Sequence, residues 1–270
     1  MMRTTLPRYK TANNIAYYRA GNGPILLMIH GVGLRLESWA AQIRFLSKKF
    51  TVIAVDLPGH GESNNLHMKP SNLDAYVQEI KLFANEVIEG SCIVIGHSLG
   101  ALIALSYADQ YDQECDGIIA LNCIYQRTDE AMRQVRLRSK KLATKDMNQE
   151  IEVTIKRWFG ESPTGYYLEL ANICRQWLLE SNKEGYVEAY DIFAKQRGVS
   201  KSKLVTNNLP IAFITGTLDS NSTPSMTGDM AKLCPLGIAR EVIGAGHMTQ
   251  MTHAEEVNEI IQSFALSIKN

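Results

Sequence analysis

Short runs of apolar residues recur along this chain, separated by longer stretches with an amphipathic, helical pattern. Most of the apolar runs end at a glycine or an aspartate, as is typical of strands that are buried on both faces of a sheet. Repeated alternation of such strands with helices predicts an α/β fold, in which helices cover both faces of a parallel sheet. The predicted strands are residues 15–19, 25–29, 51–55, 92–95, 117–121, 211–215 and 239–243.

Helix-start signals mark two of the intervening segments. Ser71 is predicted as the N-cap of the second helix, because Asp74 follows at the spacing of a capping box. Thr223 precedes Pro224, which suits an N-cap followed by proline at the first helical position. The other helices predicted around the sheet are residues 39–46, 99–107 and 254–268.

One long segment, residues 125–204, interrupts the alternation of strands and helices. It contains no convincing strand pattern and is too long to be a simple loop. We expect a helical cap here, inserted into an α/β core that consists of residues 1–124 and 205–270. The predicted cap helices are residues 130–143, 149–159, 165–179 and 186–195.

The charge balance of the chain limits which partners it can bind, and its cysteine pattern indicates the redox compartment in which it folds. Lysine plus arginine and aspartate plus glutamate each number 28, so the chain lacks the basic excess of a nucleic-acid-binding protein. No apolar run approaches the length of a membrane-spanning helix. The five cysteines are scattered and form no CxxC pair, so we expect neither a disulfide framework nor a zinc site. A reducing cytoplasm is the simplest location for such a chain.

The sequence Gly96-His97-Ser98-Leu99-Gly100 lies between a predicted strand and a predicted helix. This G-x-S-x-G pattern is typical of a nucleophile elbow, a sharp turn that exposes a serine hydroxyl at the carboxyl end of a strand. The glycines leave room for the strand and the helix to cross, and the helix N-terminus favours developing negative charge. The pattern predicts Ser98 as a nucleophile, with an ordinary tight turn as the alternative.

A serine hydroxyl needs a base to act as a nucleophile near neutral pH. His247 lies directly after the last predicted strand, which fits the chain order serine, acid, histidine. Asp219 follows another strand and is the predicted partner that orients this histidine. The alternatives are a surface-loop histidine and a turn aspartate. Asn122, at the end of the preceding strand, cannot accept a hydrogen bond from histidine as a carboxylate does.

Backbone donors for an oxyanion are expected after the strand at residues 25–29. His30-Gly31-Val32-Gly33 follows this strand and can present N–H groups to a developing negative charge. The N–H groups of Val32 and Leu99 are the predicted oxyanion hole. We expect His30 and Gly31 to shape the loop rather than to contact a substrate.

Five motifs occur together in the order typical of one large family. They are His30-Gly31-Val32-Gly33, Asp56-Leu57-Pro58-Gly59-His60-Gly61-Glu62-Ser63, Gly96–Gly100, Asp219 and Gly246-His247. Over nearly its whole length, the chain resembles α/β-hydrolase-fold proteins of the type that carries a helical cap. The resemblance implies an eight-stranded, mostly parallel sheet and a serine hydrolase. The histidines lack the spacing of metal ligands, so we expect no metal site, and the proposed chemistry requires no cofactor. It also implies a chiefly structural role for the loop that contains Asp56 and His60.

Particular residues separate this chain from some branches of that family. Haloalkane dehalogenases and epoxide hydrolases carry an aspartate where this chain has Ser98. Enzymes that cleave carbon–carbon bonds of ring-fission products commonly have asparagine and tryptophan where this chain has His97 and Met248. The resemblance therefore favours carboxylesterases and enol-lactonases, which act on small-molecule acyl substrates.

The predicted cap supplies candidates for substrate binding. Arg127, Trp158 and Trp177 are the predicted substrate-binding residues, although packing within the cap is the alternative for any one aromatic residue. An arginine, with Arg157 and Arg175 as further candidates, would hold a substrate carboxylate. A solvated basic face is the alternative reading of this charge. A carboxylate clamp would favour an enol-lactone or an amido-dicarboxylate.

Three functions are open to such a site. The first is an esterase or lactonase that forms an acyl-enzyme on Ser98, which water then releases. The second is a hydrolase-like receptor that binds a small molecule. The third is a perhydrolase or acyl transferase that passes the same acyl group to another acceptor.

Overall fold

The computed structural model describes residues 5–69, 71–144 and 147–268. Within these residues eight strands form one sheet, in which the second strand runs antiparallel to both of its neighbours and all other neighbouring pairs are parallel. The strands are β1 (Tyr9–Lys10), β2 (Ala16–Ala20), β3 (Ile25–Ile29), β4 (Thr51–Val55), β5 (Cys92–His97), β6 (Cys115–Leu121), β7 (Ile211–Gly216) and β8 (Gly237–Val242). Their spatial order is β1-β2-β4-β3-β5-β6-β7-β8. The predicted mostly parallel α/β sheet is confirmed.

Helices pack against both faces of this sheet and form an inserted group between β6 and β7. Around the sheet lie α1 (Ala40–Leu46), α2 (Leu73–Val87), α3 (Leu99–Gln110), α9 (Pro224–Leu233), α10 (Thr249–Thr252) and α11 (Ala254–Ile268). The insertion contains α4 (Asp129–Thr144), α5 (Met147–Phe159), α6 (Gly165–Glu180), α7 (Lys183–Lys195) and α8 (Lys201–Thr206). No strand occurs in the described part of the insertion.

Alternating residues of β3 show how one strand serves two cores. Leu27 and Ile29 pack into the hydrophobic cluster on the side of α2 and α3, whereas Leu26 and Met28 pack on the side of α1 and α11. All four side chains are fully buried. A run with no polar residue is therefore required here, because successive side chains of a strand point to opposite faces.

Several local features differ from the sequence predictions. Strand β1 was not predicted, because two residues are too few to show a periodic pattern. The N-cap of α2 is Asn72, which accepts a hydrogen bond from the backbone N–H of Ala75 at 2.9 Å, and not Ser71. Ser71 is wrong as the cap because its hydroxyl donates instead to Glu188 in the insertion. The short helix α8 was also not predicted.

The insertion packs over the loop that follows β3. A Cβ on Gly33 would lie only 2.6 Å from Leu178 in α6 and 2.8 Å from Tyr186 in α7. Residues of α5, α6 and α7 belong to the same hydrophobic cluster as α2 and α3. The inserted helices thus lie above the carboxyl edge of the sheet. None of the described helices has the length and apolar character needed to span a membrane.

Candidate active site

Ser98 lies at the turn between β5 and α3, in a backbone conformation that is rare for a residue with a side chain. Its φ is 55° and its ψ is −112°. Such a conformation costs on the order of 1–3 kcal/mol and persists only where the surrounding structure enforces it. The backbone N–H of Ser98 donates to the carbonyl of Leu121 in β6, at 2.9 Å, which anchors the turn to the sheet.

Close backbone approach explains the two glycines of the G-x-S-x-G pattern. A Cβ on Gly96 would lie 2.1 Å from the carbonyl oxygen of Gly100, so the strand and the helix touch at these positions. A Cβ on Gly100 would lie 2.2 Å from the carbonyl oxygen of Ile29 in β3. Any larger residue would push α3 away from the sheet and shift Ser98.

Ser98, His247 and Asp219 meet at the carboxyl edge of the sheet. The His247 Nε2 atom lies 3.2 Å from Ser98 Oγ, and its Nδ1 atom lies 2.8 Å from Asp219 Oδ2. This geometry fixes the tautomer, because Nδ1–H donates to the carboxylate and Nε2 is left to accept the serine proton. All three residues are at least nine-tenths buried. The structure therefore brings together the three predicted catalytic side chains.

The Asp219 carboxylate accepts hydrogen bonds from several sides. Its Oδ1 atom accepts from the backbone N–H groups of Asn221 and Ser222, at 2.9 and 3.1 Å. Its Oδ2 atom accepts from His247 and from Asn122 Nδ2, the latter at 2.8 Å. Burial alone would raise the pKa of Asp219, but the His247 charge and these hydrogen bonds outweigh burial and lower the pKa to about 2. Asp219 therefore stays ionised across the neutral range.

Asn122 contacts the site, although the sequence analysis considered it only as a residue that cannot replace the carboxylate partner of the histidine. It adopts a left-handed conformation with φ of 50°, which turns its amide toward Asp219. Its carbonyl accepts from the Ser222 hydroxyl at 2.7 Å, so it also ties β6 to the loop after β7. The sequence signal for Asn122 was its position at the end of a strand. Its hydrogen bond to Asp219 could not be predicted, because it depends on how neighbouring strands are placed in the sheet.

The loop after β3 lies against the nucleophile elbow. A Cβ on Gly31 would lie 3.1 Å from the Cβ of Ser98, so the backbone of the two segments is in close contact. Gly31 and Val32 border the cavity at Ser98. Among the described residues, no acceptor bonds the backbone N–H of Val32 or of Leu99. These two N–H groups, the pair predicted for the oxyanion hole, are thus free to donate to a negatively charged oxygen.

Two buried histidines hold this loop to the segment after β4. His60 Nε2 accepts from the Gly33 backbone N–H at 3.0 Å, while Nδ1 donates to the Pro58 carbonyl at 3.1 Å. His30 Nε2 accepts from the Leu57 N–H at 2.9 Å. Burial lowers the pKa of His60 to about 4, so the ring is neutral and can accept at Nε2.

His97 supports the histidine of the site from the opposite side. Its Nε2–H donates to the backbone carbonyl of His247 at 2.8 Å. Burial, followed by the charge of His247, lowers the pKa of His97 to about 3. A permanently neutral ring at this position holds the His247 backbone without adding a second charge near the nucleophile.

The cavity at Ser98 is small and largely enclosed by the inserted helices. Its volume is about 20 Å³, room for roughly one water. We call it the inner cavity; its lining includes Ser98, His247, Trp158, Arg157, Tyr190 and Asn221. A substrate must therefore displace side chains of the insertion to reach the serine.

The predicted substrate-binding residues fall in different places. Trp158 lines the inner cavity, whereas Trp177 lines a separate cavity with His60. Arg127 is buried behind the cavity wall, where it donates to the carbonyl oxygens of Phe193 and Gln196 at 3.1 and 3.0 Å. The structure therefore does not place Trp177 or Arg127 at the serine. Arg127 instead secures the end of α7.

The two remaining arginine candidates also separate. Arg157 lines the inner cavity. Arg175 is ion-paired with Glu152 on the outer surface of the insertion, at 2.6 Å. The orientation of α5 places Arg157 at the cavity, because Arg157 lies on the same face of this helix as Thr154 and Trp158, which also line the cavity.

Side chains typical of metal sites do not gather elsewhere in the described chain. No group of three or more histidine, cysteine, aspartate or glutamate residues within it has the arrangement to hold a metal ion. The five cysteines are all buried and free.

Known proteins share both the sequence pattern and the architecture of this chain. The family described as "alpha/beta hydrolase fold" matches residues 24–254. The (E)-2-((N-methylformamido)methylene)succinate hydrolase of Acinetobacter baylyi is 34% identical over 256 residues, which cover 92% of each chain. A thermophilic esterase from Thermogutta terrifontis, solved with malate bound, superposes with a TM-score of 0.87 at 25% identity over 98% of this chain and 100% of its own.

A second solved structure supports the architecture alone. The enol-lactonase from Burkholderia xenovorans LB400 superposes with a TM-score of 0.82 at 22% identity, covering 96% of this chain and all of its own. The profile match, the long alignment to a curated hydrolase and the shared topology agree with one another. This chain belongs to the α/β-hydrolase-fold family and is a hydrolase of that family.

Proposed function

We propose that this protein is a serine hydrolase that cleaves a carboxylic ester, a lactone or a related small acyl compound through an acyl-enzyme on Ser98. The observation that carries the proposal is the continuous relay from Ser98 Oγ through His247 to Asp219 Oδ2, at 3.2 and 2.8 Å. The fold alone does not define a reaction, but this constellation is what acyl transfer by serine requires.

The first half of the proposed reaction forms the acyl-enzyme. Ser98 Oγ attacks the carbonyl carbon of the substrate while its proton passes to His247 Nε2. The carbonyl oxygen becomes an oxyanion, which the backbone N–H groups of Val32 and Leu99 stabilise; each such donor contributes roughly 3–4 kcal/mol. His247 then gives the proton to the leaving group, and the bond from the carbonyl carbon to that group breaks.

The second half repeats the chemistry with water. His247 takes a proton from a water molecule, whose oxygen attacks the acyl carbon and forms a second oxyanion. Collapse of this intermediate releases the acid, and His247 returns the proton to Ser98 Oγ. Asp219 stays ionised throughout and stabilises the imidazolium that forms twice in each cycle. In this scheme the inserted helices act as the cap that shields the acyl-enzyme.

A second candidate function is cleavage of an amide-type bond by the same route. The observation that favours it is the 34% identity, over 92% of the chain, to a hydrolase whose named substrate carries a formamido group. An amine leaves less readily than an alcohol, so proton donation from His247 becomes more important in this reaction.

A substrate panel distinguishes the two candidates. Matched esters, lactones and N-acyl compounds would be assayed with the wild-type protein and with Ser98→Ala. We expect turnover of at least one class, and a loss of roughly 10³-fold or more in the variant, because the nucleophile is gone. Turnover that persists in Ser98→Ala would contradict the proposal.

The same panel addresses the two other functions open to the site. A receptor would bind a ligand and release at most one equivalent of product, whereas a hydrolase continues through many cycles. An acyl transferase would yield an acylated alcohol or peroxide when that acceptor is added, at the expense of the free acid. The buried, free cysteines support a reducing compartment such as the cytoplasm as the place of this activity.

A further inference from the structure

The wall of the inner cavity contains a permanently charged group, Arg157. Among the described residues that line this cavity there is no carboxylate. Arg157 is exposed at the end of α5, and no carboxylate of the described residues lies within ion-pair distance of it. A guanidinium beside a nucleophile, without an acidic partner from the protein, is suited to bind an anion from outside.

A second donor in the same wall also lacks a partner. The Tyr190 side chain is 3% exposed and lines the inner cavity. Its hydroxyl is buried and makes no hydrogen bond to the described residues. A buried hydroxyl without a partner costs free energy, so a ligand that accepts a hydrogen bond from it would be favoured.

Two further arginines lie behind this wall, and their hydrogen bonds go mainly to uncharged oxygen atoms. Arg138 donates to the Glu150 carbonyl and to Thr154 Oγ1, at 3.0 and 2.5 Å, and its Nε atom has no hydrogen-bond partner. The Glu150 carboxylate approaches Arg138 only to 4.0 Å. Arg127 likewise has one buried nitrogen, Nη2, without a partner. The region around Arg157 thus carries an excess of positive charge.

A larger cavity lies next to the inner cavity. This outer cavity, lined in part by Arg138, Lys141 and Glu150, has a volume of about 400 Å³. Arg157, Tyr190 and Asn221 line both cavities. Arg157 and Tyr190 therefore lie between the outer cavity and the cavity that contains Ser98.

We propose that the substrate carries a carboxylate in addition to its scissile acyl group, and that Arg157 and Tyr190 bind this carboxylate while the acyl carbon lies at Ser98. The inference rests on the proposed hydrolase function and names its substrate class. The guanidinium would form a paired hydrogen bond with the carboxylate, and the Tyr190 hydroxyl would donate to one of its oxygens. Binding of the anion would also neutralise part of the excess positive charge around Arg157.

Matched substrate pairs test the assignment. One pair is 4-acetoxybenzoate and its methyl ester, with the charge on the leaving group; the other is monophenyl adipate and phenyl methyl adipate, with the charge on the acyl group. We expect a higher kcat/KM for the charged member of at least one pair. In Arg157→Gln the ratio of charged to neutral kcat/KM should fall by about 10- to 150-fold, the range for hydrogen bonds to a charged group.

Further variants separate recognition from general damage. Arg157→Lys should give an intermediate ratio, because lysine keeps the charge but loses the planar pair of donors. Tyr190→Phe should lower the ratio by roughly 10-fold, mainly through KM. Arg175→Gln is the matched control: it also removes an arginine of the insertion, but a half-buried one that is paired with Glu152, and it should keep the wild-type ratio.

The outcomes distinguish this inference from the function on which it rests. Equal kcat/KM for both members of each pair, with turnover that still depends on Ser98, would overturn the carboxylate assignment and leave the hydrolase intact. A preference that survives in Arg157→Gln, or that falls equally in Arg175→Gln, would also overturn it. Absence of any turnover together with no acylation of Ser98 would instead contradict the hydrolase function itself.

Discussion

At the scale of single residues, the acid of the site depends on a set of donors rather than on histidine alone. Asp219 Oδ2 accepts hydrogen bonds from His247 and Asn122, while Oδ1 accepts hydrogen bonds from two backbone N–H groups of its own loop. Each oxygen is thereby fixed in direction, and the oxygen that faces His247 cannot rotate away. The result is a histidine with one tautomer and one orientation, which general-base catalysis needs.

Replacement of this acid by its amide tests that dependence. Asp219→Asn should lower kcat by about 10⁴-fold, because an amide at this position favours the wrong tautomer and cannot stabilise the imidazolium. Steady-state kinetics on the best ester of the panel would measure the effect. Asp229→Asn, an exposed aspartate of α9 near Lys232, is the control and should leave kcat unchanged. A loss of less than 10-fold in Asp219→Asn would show that another group orients His247.

At the scale of elements, the nucleophile elbow is a crossing of three backbone segments. Gly96, Gly100 and the end of β3 approach so closely that a methyl group at either glycine would overlap a carbonyl oxygen. Backbone atoms cannot rotate out of the way as side chains do, so the strand and helix would have to separate. The glycines therefore set the position of Ser98 as well as permit it.

A pair of glycine-to-alanine variants distinguishes crowding from helix propensity. Gly100→Ala should lower the free energy of unfolding by about 1–3 kcal/mol and reduce activity, because its Cβ would lie 2.2 Å from the Ile29 carbonyl oxygen. Gly228→Ala, in α9, has nothing within 4 Å of its added Cβ and should raise that free energy by roughly 0.5–1 kcal/mol. Urea unfolding measures both. Equal effects of the two changes would contradict the account of the elbow.

Sequence reasoning succeeded where the signal is local and failed where it depends on packing. Strands β3 and β4 were predicted with their observed ends, because uninterrupted apolar runs stop at a polar residue or a turn. Arg127, Arg157 and Arg175 were equivalent in the sequence, since each lies near a helical pattern. Only the rotation and placement of the inserted helices put Arg157 at the cavity. In the sequence, Tyr190 is one of several large aromatic residues of the predicted cap, and nothing distinguishes it from the others.

At the scale of the whole molecule, a buried ion-pair cluster ties the start of the described chain to the active-site edge. Arg8 bonds Glu37 and Asp56, and the side chains of all three are at most 2% exposed. Asp56 in turn accepts from the Leu36 N–H at 2.8 Å, just beyond the loop that carries Val32. The sequence reasoning missed this cluster because its members are distant in the chain.

Removal of Arg8 should be costly for stability. Burial raises the pKa of Asp56 even with Arg8 beside it, and loss of the arginine would remove the ion-pair partner of Asp56 among the described residues and leave Glu37 with Arg35 alone. Arg8→Met should lower the free energy of unfolding by about 3–5 kcal/mol, measured by urea denaturation at pH 7. Arg19→Met, at an exposed position of β2, is the control and should change it by less than about 0.5 kcal/mol. Equal stability of the two variants would contradict this prediction.

The buried histidines make stability depend on pH in a definite direction. The folded-state pKa of His60 is about 4, below its ordinary value of 6.5. Above pH 6.5 the ring is neutral in both states; as the pH falls from 6.5 to 4, the unfolded chain gains a proton that the folded chain does not. The free energy of unfolding should therefore decrease, by on the order of 3 kcal/mol from this group. Urea unfolding at pH 7 and pH 4.5 should show a smaller decrease in His60→Gln; an equal decrease would contradict the assignment.

The central claim is that Ser98 is the activated nucleophile. Treatment with a fluorophosphonate, which transfers a phosphonyl group to an activated serine with loss of fluoride, followed by peptide mass mapping, tests it most directly. We expect one stable phosphonyl adduct on Ser98, complete loss of ester hydrolysis, and no adduct in Ser98→Ala. Full activity without labelling of Ser98, or an adduct on a different residue that abolishes activity, would contradict it.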